Sequence, residues 1–527
     1  MAQRQRSYVR LVLGIILMVL ATGAVFATGQ QQTTEEEQST LVVGVQGLPQ
    51  AYIEAMAENS NVAHRVNYSV GEYLIRTDYY DNFKQKPGLA ESWELVDERT
   101  LVLNLREGVL FHNGEELTAD DVAFTFGEER VFGTDAPAWP VVEQFLSNIE
   151  SVTAIDRYTV EVKAKKPDAL LVTRFANYPT QIISRKGYED AGSFEAFARM
   201  PVGTGPYKVV EFTDGERVVL ERFEDYWGDR PGAVDRIEFR YVPEVATRIA
   251  GLRAGDFDII TEVPPDQAQA VDSMNGVHIV GGPIANIYGM FFDETNDSPM
   301  QDPRFREALT VAIDREQLVS MLFGGITTIP RNWQMELFGD MYLTDIEAVP
   351  YDPDRARALL DEAGYDGERI EYRSLPDYYT LEQTVAEAVT QMWQDVGINV
   401  ELRVMENWTQ VGEDDNDRHI INGSFSAYYP DPVGQFWRRF GINGGKDGGA
   451  FWTNSDEFNQ LGARLETETD LATRRDTFRE MIEIFNRDPK GLYLYALPMI
   501  YGVRDGIDWT PLPVEGMDFS GMSLKSF

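Results

Sequence analysis

The stretch 203–261 constrains the fold more than any other part of the chain, because almost every residue in it has a local structural role. Two β-rich runs, 207–212 and 217–223, flank a four-residue turn in which Gly215 supplies the backbone freedom that closes a hairpin. Residues 237–241 then alternate apolar and polar side chains with a period of two, which is typical of a strand with one buried face. The first part of this stretch therefore predicts three β-strands.

The periodicity changes from strand to helix after Pro243. Apolar side chains at 245, 249 and 252 fall on one side of a helix that ends at Gly255. Residues 256–260 then return to the pattern of a buried strand. This order of strands and helix predicts a mixed α/β sheet near the middle of the chain.

The length and the charge of the chain limit the classes of protein to which it can belong. At 527 residues the chain is longer than the roughly 250–300 residues at which single cores stop growing, so we expect two or three domains. The formal net charge of -39 argues against nucleic acid or an anionic membrane surface as a direct partner. An acid-rich surface fits a saline habitat as well as plain solubility, and both interpretations stay open.

The amino-terminal segment has the pattern of an export signal. Three arginines precede the apolar run 11–20, and small residues lead to a cleavage point after Ala27. We expect a signal peptide over 1–27 and a disordered polar leader over 28–40. The chain contains no cysteine, which removes disulfides, thiol chemistry and a lipid anchor, so we expect a mature protein that is soluble in the periplasm.

Two further segments near the start of the mature chain have clear patterns. Residues 41–45 form an apolar run that predicts a buried strand, and Gln46 follows it directly. Residues at such strand ends are common ligand contacts in open α/β sheets, so Gln46 is a candidate for solute binding. Residues 68–75 predict a helix.

Three groups of motifs occur in a fixed order along the chain. They are LAESW (89–93) with LTADDV (117–122), GTGPY (203–207) with LRAGDFD (252–258), and DPRFREAL (302–309). In this order they resemble family five of the bacterial extracellular solute-binding proteins, and the resemblance extends over about residues 45–520. That family comprises the oligopeptide- and dipeptide-binding proteins of ABC importers, with relatives that bind oligosaccharides, nickel or other solutes.

The resemblance implies an α/β fold, that of a two-lobed periplasmic binding protein of type II, large and cluster C-like, with an extra subdomain inserted in the first lobe. The expected parts are lobe I over 41–72, 199–285 and 501–527, the inserted subdomain over 73–198, and lobe II over 286–500. The hinge is expected from Asn286 to Gly289, where the chain would leave the first lobe for the second.

The resemblance also implies a function. The protein would capture a peptide-sized solute, an oligosaccharide or an oligopeptide, by hinge closure. It would then deliver the solute to a pair of ABC permease subunits in the inner membrane, which cytoplasmic ATPases power. We expect a monomer with no cofactor, no metal and no nucleic-acid partner. A sensory binding protein that serves a chemoreceptor would have the same fold and stays an alternative.

Signatures of enzymes are weak in this sequence. The four histidines lie far apart and lack metal-binding spacing, and no GxSxG elbow or GxxxxGK[ST] loop occurs. His112 lies in a turn of the family pattern and is expected to be structural. We expect no enzymatic activity. A secreted carbohydrate-active enzyme stays open as an alternative, because 86 acidic residues always contain some carboxylate pair.

Aromatic residues gather in predicted loops of the second lobe rather than on helical stripes. Rings in loops can stack on sugar faces or pack on the apolar side chains of a solute, although each ring is equally suited to a core. The candidate ligand-binding residues are these rings, the polar residue after the first strand and a tyrosine at the expected hinge: Gln46, Tyr288, Trp333, Trp408, Tyr428, Tyr429 and Trp437.

One of these candidates departs from the family pattern. In the peptide-binding members, the resemblance places an aspartate that holds the amino terminus of the peptide at the position of Tyr428. A tyrosine ring does not neutralise a buried ammonium group as a carboxylate does. The departure therefore favours a neutral, hydroxyl-rich solute such as an oligosaccharide over an ordinary peptide. Asp431 belongs to the next turn, and we assign it no role in binding.

Overall fold

The computed structural model describes residues 39–442, 444 and 450–524. The expected signal peptide (1–27) and nearly all of the expected leader (28–40) lie outside the described residues. Within the described ranges, none of the helices is long and apolar enough to cross a membrane.

Eighteen strands occur in the described part of the chain. In chain order they are β1 (Thr40–Val45), β2 (Ile75–Asp78), β3 (Lys84–Pro87), β4 (Ala90–Asp97), β5 (Thr100–Leu105), β6 (Ile149–Ala154), β7 (Thr159–Ala164), β8 (Tyr207–Thr213), β9 (Arg217–Arg222), β10 (Arg236–Tyr241), β11 (Ile259–Ile260), β12 (Val277–Phe292), β13 (Ile370–Ser374), β14 (Val400–Val404), β15 (Ile420–Ser426), β16 (Gly491–Arg504), β17 (Ile507–Asp508) and β18 (Ser523–Leu524).

Helices lie between and beside these strands. The α-helices are Asn61–Asn67, Ala119–Thr125, Trp139–Leu146, Leu171–Arg174, Arg185–Ala191, Phe194–Arg199, Val245–Ala254, Pro265–Asp272, Pro303–Val311, Arg315–Phe323, Pro353–Ala363, Glu382–Asp395, Trp408–Val411, Arg438–Phe440, Asp456–Thr467 and Leu471–Arg487. Short 3-10 segments occur at Pro299–Gln301 and Glu336–Met341, and π-type segments at Glu128–Phe132 and Val433–Trp437.

One ten-stranded mixed sheet organises most of these elements, in the order β14-β13-β15-β12-β16-β11-β1-β10-β9-β8. The two longest strands, β12 and β16, lie side by side in its middle and are antiparallel. The end of β12 also pairs with β15, and the end of β16 pairs with β11. The two strands therefore connect a half-sheet formed by β11, β1, β10, β9 and β8 with a half-sheet formed by β13, β14 and β15.

The central stretch has the predicted architecture. Strands β8 and β9 form the hairpin, β10 pairs with β9, and the helix Val245–Ala254 ends at Gly255 in the left-handed conformation. Strand β1 lies parallel to both β10 and β11. The prediction of a mixed α/β sheet unit is confirmed, although the last strand is short.

The predicted helix over 68–75 is wrong. The helix lies earlier, at Asn61–Asn67, because the Ser60 hydroxyl caps it by accepting a hydrogen bond from the backbone N–H of Ala63 at 3.2 Å. The backbone carbonyls of Ser69 and Val70 accept hydrogen bonds from Tyr207 and Gly205 at 3.1 and 3.0 Å. Because these carbonyls accept hydrogen bonds from the GTGPY segment, they do not accept the hydrogen bonds of a helix over 68–75.

The GTGPY segment approaches residues 69–71 so closely that its glycines have a packing role. A Cβ atom added to Gly205 would lie 2.6 Å from the carbonyl oxygen of Ser69, and one added to Gly203 would collide with that of Val70. Glycine therefore permits a contact between two backbones that any side chain would block.

A separate antiparallel sheet, β4-β5-β7-β6, lies within residues 73–198. The helices Ala119–Thr125 and Trp139–Leu146 pack with it around a core of its own, which includes the fully buried Leu103 and Val160. These residues thus form a compact unit beside the large sheet.

His112 ties this unit to the GTGPY segment. Its Nε2 donates to the carbonyl oxygen of Gly205 at 2.9 Å, while its Nδ1 accepts from the N–H of Gly203 at 3.3 Å. These bonds require a neutral ring, and burial lowers the pKa of His112 from 6.5 to about 4. The structural role expected for His112 is confirmed by these contacts.

The neutral His112 should make the folded protein sensitive to acid. Between pH 6.5 and about 4 the imidazole of His112 is protonated in the unfolded state but stays neutral in the folded state. The stability of the folded protein therefore falls as the pH falls through this window. Between pH 7 and pH 4 the free energy of unfolding of the wild type should drop by about 3 kcal/mol more than that of His112→Gln. Urea titrations of both proteins measure the difference, and parallel pH curves would contradict it.

Candidate functional site

A cavity of about 380 Å³ lies where the two half-sheets face each other. On one side it is lined by residues that follow β1, among them Glu58, Asn59, Ser60 and Asn61. On the other side it is lined by residues on or after β13, β14 and β15, among them Tyr378, Tyr379, Trp408, Asn422, Ser424, Tyr428 and Arg439. The cavity therefore opens at the carboxyl ends of parallel strands, where ligands of open α/β sheets bind.

Glu58 organises the side of the cavity that follows β1. Its carboxylate accepts hydrogen bonds from the backbone N–H groups of Gln50, Ala51 and Tyr52 at 2.9 to 3.0 Å and from the hydroxyl of Ser60 at 2.7 Å. A carboxylate accepts about four hydrogen bonds, so these four donors fill its accepting capacity. Glu58 therefore fixes the loop that carries Asn59 and is not available to bind a solute.

Three aromatic rings form a wall on the opposite side. Tyr378 lies edge-on to Tyr379, with ring centroids 4.8 Å apart, and edge-on to Trp408 at 5.1 Å. Such contacts hold each ring in one orientation. The wall offers a rigid apolar surface on which a sugar face or an apolar side chain can pack.

The floor of the cavity contains a buried polar pair, Asn422 and Glu382. The Nδ2 of Asn422 donates to the carboxylate of Glu382, which also accepts from the N–H groups of Leu375 and Tyr379 at 3.2 and 3.0 Å. Burial raises the pKa of Glu382 to about 7. The Oδ1 of Asn422 has no hydrogen-bond partner within the described ranges.

Tyr428 crosses from the second half of the sheet to the first. Its hydroxyl donates to the Oδ1 of Asn59 at 2.7 Å. Its ring stacks on Tyr178 at 5.7 Å and lies under the guanidinium of Arg438 at 4.5 Å. The side chain thus closes one end of the cavity, and its hydroxyl is already paired.

A second set of contacts between the halves centres on Glu262. The Oε1 of Glu262 accepts from Arg65 and from Gln46, both at 3.3 Å, and its Oε2 accepts from the hydroxyl of Thr380. Burial raises the pKa of Glu262, an effect that the charge of Arg65 opposes. Because Thr380 follows β13 whereas the other three residues belong to the first half, the Thr380 bond joins the two halves.

The candidate residues from the sequence separate into two groups in the structure. Trp408 and Tyr428 line the cavity, and Gln46 lies beside it in the cluster around Glu262. The other four candidates belong to hydrophobic cores and do not line this cavity: Tyr288 (0 % exposed), Tyr429 (1 %), Trp333 (3 %) and Trp437 (6 %).

The packing of two of these rings, Trp333 and Tyr288, shows why they are buried. Trp333 lies edge-on to Phe425 and Phe440 at 4.7 and 4.8 Å, inside a cluster of aromatic rings. Tyr288 lies on β12, and its hydroxyl accepts from Asn422 at 3.0 Å, so it supports the floor from beneath. An aromatic residue in a predicted loop is thus as easily a core residue as a contact for a solute.

The expected hinge residues lie on β12 where its pairing with β16 is irregular. The register shifts between Pro283 and Ile287 and again between Tyr288 and Gly289. Asn286 is fully buried, and its Nδ2 donates to the carboxylate of Glu515 at 2.6 Å. The irregular pairing therefore coincides with the segment that the sequence indicated.

Several residues of the cavity were missed by the sequence analysis. Asn59, Tyr379, Asn422 and Arg439 line it although none stands in a recognised motif. For Tyr379 the available signal was position, because it follows the carboxyl end of β13, where polar and aromatic side chains could have been searched for. Asn422 lies inside β15, so a search of strand ends gave no such signal for it. Across the described ranges, no group of three His, Asp or Glu residues could hold a metal ion.

Two relatives of known type match this chain over long stretches. The dipeptide-binding protein of Escherichia coli (strain K12) is 27% identical over 345 residues, which are 61% of this chain and 63% of that protein. The oligopeptide-binding protein AppA of Bacillus subtilis (strain 168) is 26% identical over 524 residues, which are 91% of this chain and 92% of that protein. The chain thus spans somewhat less than two thirds of the first protein and nearly all of the second.

A solved structure has the same fold. The periplasmic binding protein DppA of Helicobacter pylori, associated with an ABC transporter and in complex with the peptide STSA, superposes with a TM-score of 0.82 at 20% identity. The match covers 93% of this chain and 99% of that one. The expected α/β fold of a two-lobed periplasmic binding protein is confirmed.

The family follows from the middle of the sequence, which contains the motifs and the central sheet unit. The model described as "Bacterial extracellular solute-binding proteins, family 5 Middle" matches residues 84–447, which is more than half of the chain. The chain belongs to family 5 of the bacterial extracellular solute-binding proteins.

Proposed function

We propose that this protein is the periplasmic solute-binding component of an ABC importer. It captures a peptide-sized solute in the cavity between its lobes and delivers it, chemically unchanged, to a pair of permease subunits. One observation carries the proposal: the cavity is lined from both halves of the sheet, so a solute inside it touches both lobes at once. The names of the two relatives, dipeptide-binding and oligopeptide-binding protein, agree with it.

The proposed lobes follow the two half-sheets. Lobe I comprises 41–72, 199–285 and 501–527, with the subdomain 73–198 inserted, and lobe II comprises 286–500. Closure would bend β12 and β16 at the register shifts near Asn286 and Gly289. Irregular pairing leaves some backbone groups of a strand outside the ladder, so bending there breaks fewer hydrogen bonds than in a regular ladder. This is why we place the hinge in these two strands.

The mechanism is a population shift between an open and a closed form. A solute favours the closed form only if it binds that form more tightly than the open form. To shift the ratio of closed to open protein from 1:99 to 99:1, its binding free energy for the closed form must be about 5.5 kcal/mol more favourable. Two direct contacts between the lobes add to the contacts that the solute makes. They join Tyr428 to Asn59 and Thr380 to Glu262. Both pairs would separate on opening.

The lining indicates the size and chemistry of the solute. About 380 Å³ lies within the roughly 300–1,000 Å³ typical of small-molecule sites, which suits a short peptide or a small saccharide. The aromatic wall of Tyr378, Tyr379 and Trp408 suits both the side chain of a peptide and the face of a sugar. We favour a peptide-like solute because of the relatives, and we keep an oligosaccharide as the second candidate because of this wall.

Two other roles would use the same cavity. A sensory protein that serves a chemoreceptor would bind and release its solute in the same way, and only its membrane partner would differ. A carbohydrate-active enzyme would release a product. Glu58 is occupied by four hydrogen bonds, so it is poorly placed to act as an acid or base, which favours binding without catalysis.

The proposal is tested by the mass of a retained solute. Purified protein is offered a mixture of di- and tripeptides and, separately, a mixture of oligosaccharides, and native mass spectrometry identifies what stays bound. We expect retention of a solute from one mixture, which denaturation then returns with its original mass. Retention of nothing from either mixture, or return of a cleaved product, would contradict the proposed function.

The contact between Thr380 and Glu262 should matter for affinity. Thr380→Val removes the hydrogen bond to the carboxylate of Glu262, and in the proposed mechanism this bond forms only when the lobes are closed. Hydrogen bonds to charged groups contribute about 1.5–3 kcal/mol. The dissociation constant of the retained solute, measured by calorimetry, should therefore rise about tenfold or more.

A matched control separates this effect from a loss of buried hydroxyl groups in general. Thr390→Val removes a buried hydroxyl that donates to the carbonyl oxygen of Ala386 within one helix. It should leave the affinity unchanged. Equal dissociation constants for Thr380→Val and the wild type would show that the contact does not support the closed form.

A further inference from the structure

We propose that a second cavity, lined by residues between Glu307 and Tyr493, binds a small organic ammonium ion with an aromatic body. This cavity has a volume of about 260 Å³. It shares no lining residue with the cavity between the half-sheets, so the inference goes beyond the proposed function and does not depend on it. The volume lies just below the roughly 300–1,000 Å³ typical of sites for drug-sized molecules, which suits a smaller ligand.

Three aromatic rings line one wall of the second cavity. Trp333 lies edge-on to Phe485 and edge-on to Tyr493, with the ring centroids 5.6 Å apart in both pairs. Each of the three side chains is at most 3 % exposed, so the surrounding core holds the rings in place. Fixed rings offer an apolar surface to the body of a ligand, and their faces attract a cation.

The same wall contains a hydrogen-bond donor without a partner. The indole N–H of Trp333 donates to no acceptor within the described ranges. It is not one of the polar atoms that are sealed from solvent without a partner, so it stays accessible although the side chain is 97 % buried. An indole nitrogen can only donate, so a hydroxyl oxygen on the body of a ligand would complete this wall.

Charged residues at the second cavity leave an excess of negative charge. Among the described residues that line it, three carry carboxylates, Glu307, Glu347 and Asp352, and one carries a positive charge, Arg355. The guanidinium of Arg355 lies 3.6 Å from Glu307 and 3.1 Å from Glu362, which is outside the lining. Glu347 forms no ion pair in the described part of the chain. The charge that this lining offers to a ligand is therefore negative, which favours an ammonium group.

The backbone beside Trp333 is held in place before any ligand binds. Asn332 adopts the left-handed conformation with a φ of 62°, which asparagine tolerates better than most residues. Its Oδ1 accepts from the N–H of Trp333 at 3.0 Å, and its Nδ2 donates to the Oδ1 of Asn486 at 3.1 Å. Because the wall is already ordered, a ligand does not have to order it on binding.

Three small probes test whether both the charge and the ring are needed. Tyramine has an ammonium group and a phenol ring, tyrosol replaces the ammonium group with a hydroxyl, and methylammonium lacks the ring. Calorimetric titrations of the purified protein should show that tyramine binds at least about tenfold more tightly than either of the others. No detectable binding of tyramine, or equal binding of tyrosol or methylammonium, would overturn the inference. The proposed function would stand in each of these cases, because its own test uses other ligands and the other cavity.

Variants assign the binding to the second cavity. Glu347→Gln removes a carboxylate from the lining, and the dissociation constant of tyramine should rise about fivefold, as expected for a partly exposed ion pair. Glu316→Gln is the matched control, because it removes the same charge from an exposed position of the helix Arg315–Phe323 outside the lining. Trp408→Ala changes the cavity between the half-sheets. Both should bind tyramine as the wild type does. Unchanged binding by Glu347→Gln, or weaker binding by either control, would overturn the inference.

A local chemical readout avoids dependence on one charge. The chain contains no cysteine, so Ala348→Cys introduces a single thiol in the lining of the second cavity, and Glu316→Cys introduces one outside it. Mass spectrometry follows the alkylation of each thiol with time. Saturating tyramine should slow alkylation of the Ala348→Cys protein several-fold and leave that of the Glu316→Cys protein unchanged. Equal rates for Ala348→Cys with and without tyramine would contradict binding in this cavity.

Discussion

The structure depends on two long strands that belong to both halves of one sheet. Strands β12 and β16 pair with each other along most of their length, while their ends pair with β15 in one half and β11 in the other. The two halves are thus connected through one antiparallel pair of strands, whose register shifts between Pro283 and Ile287 and between Tyr288 and Gly289. The proposed bending of one half against the other is placed at these register shifts.

The polar groups around the cavity divide into those that are paired within the protein and those that are not. Glu58, Tyr428 and Arg438 have their partners, and each fixes a loop or joins two parts of the molecule. Asn422 and Arg439 keep a buried acceptor and a buried donor without partners in the described ranges. An unpaired buried polar group lowers stability, so these two atoms carry a cost that the paired groups avoid.

The sequence predicted the sheet better than it predicted the site. Alternation and turn chemistry fixed the hairpin of β8 and β9, because strand pairing there is local. The helix predicted over 68–75 failed because the carbonyls of Ser69 and Val70 bond to a segment more than 130 residues away, a contact that local pattern does not encode. Trp333 and Trp408 were equivalent in the sequence, yet only the packing of distant strands places one in a core and the other on the cavity.

Closure on a solute is the central claim, and the distance between the lobes tests it most directly. The chain has no cysteine, so Glu244→Cys and Glu387→Cys, both at exposed positions, allow a spin label to be attached to each proposed lobe without other sites. Electron–electron dipolar spectroscopy then gives the distribution of distances with and without the retained solute. The proposed mechanism predicts a broad or long distribution that becomes shorter and narrower when the solute is bound. The same distribution with and without saturating solute would contradict it.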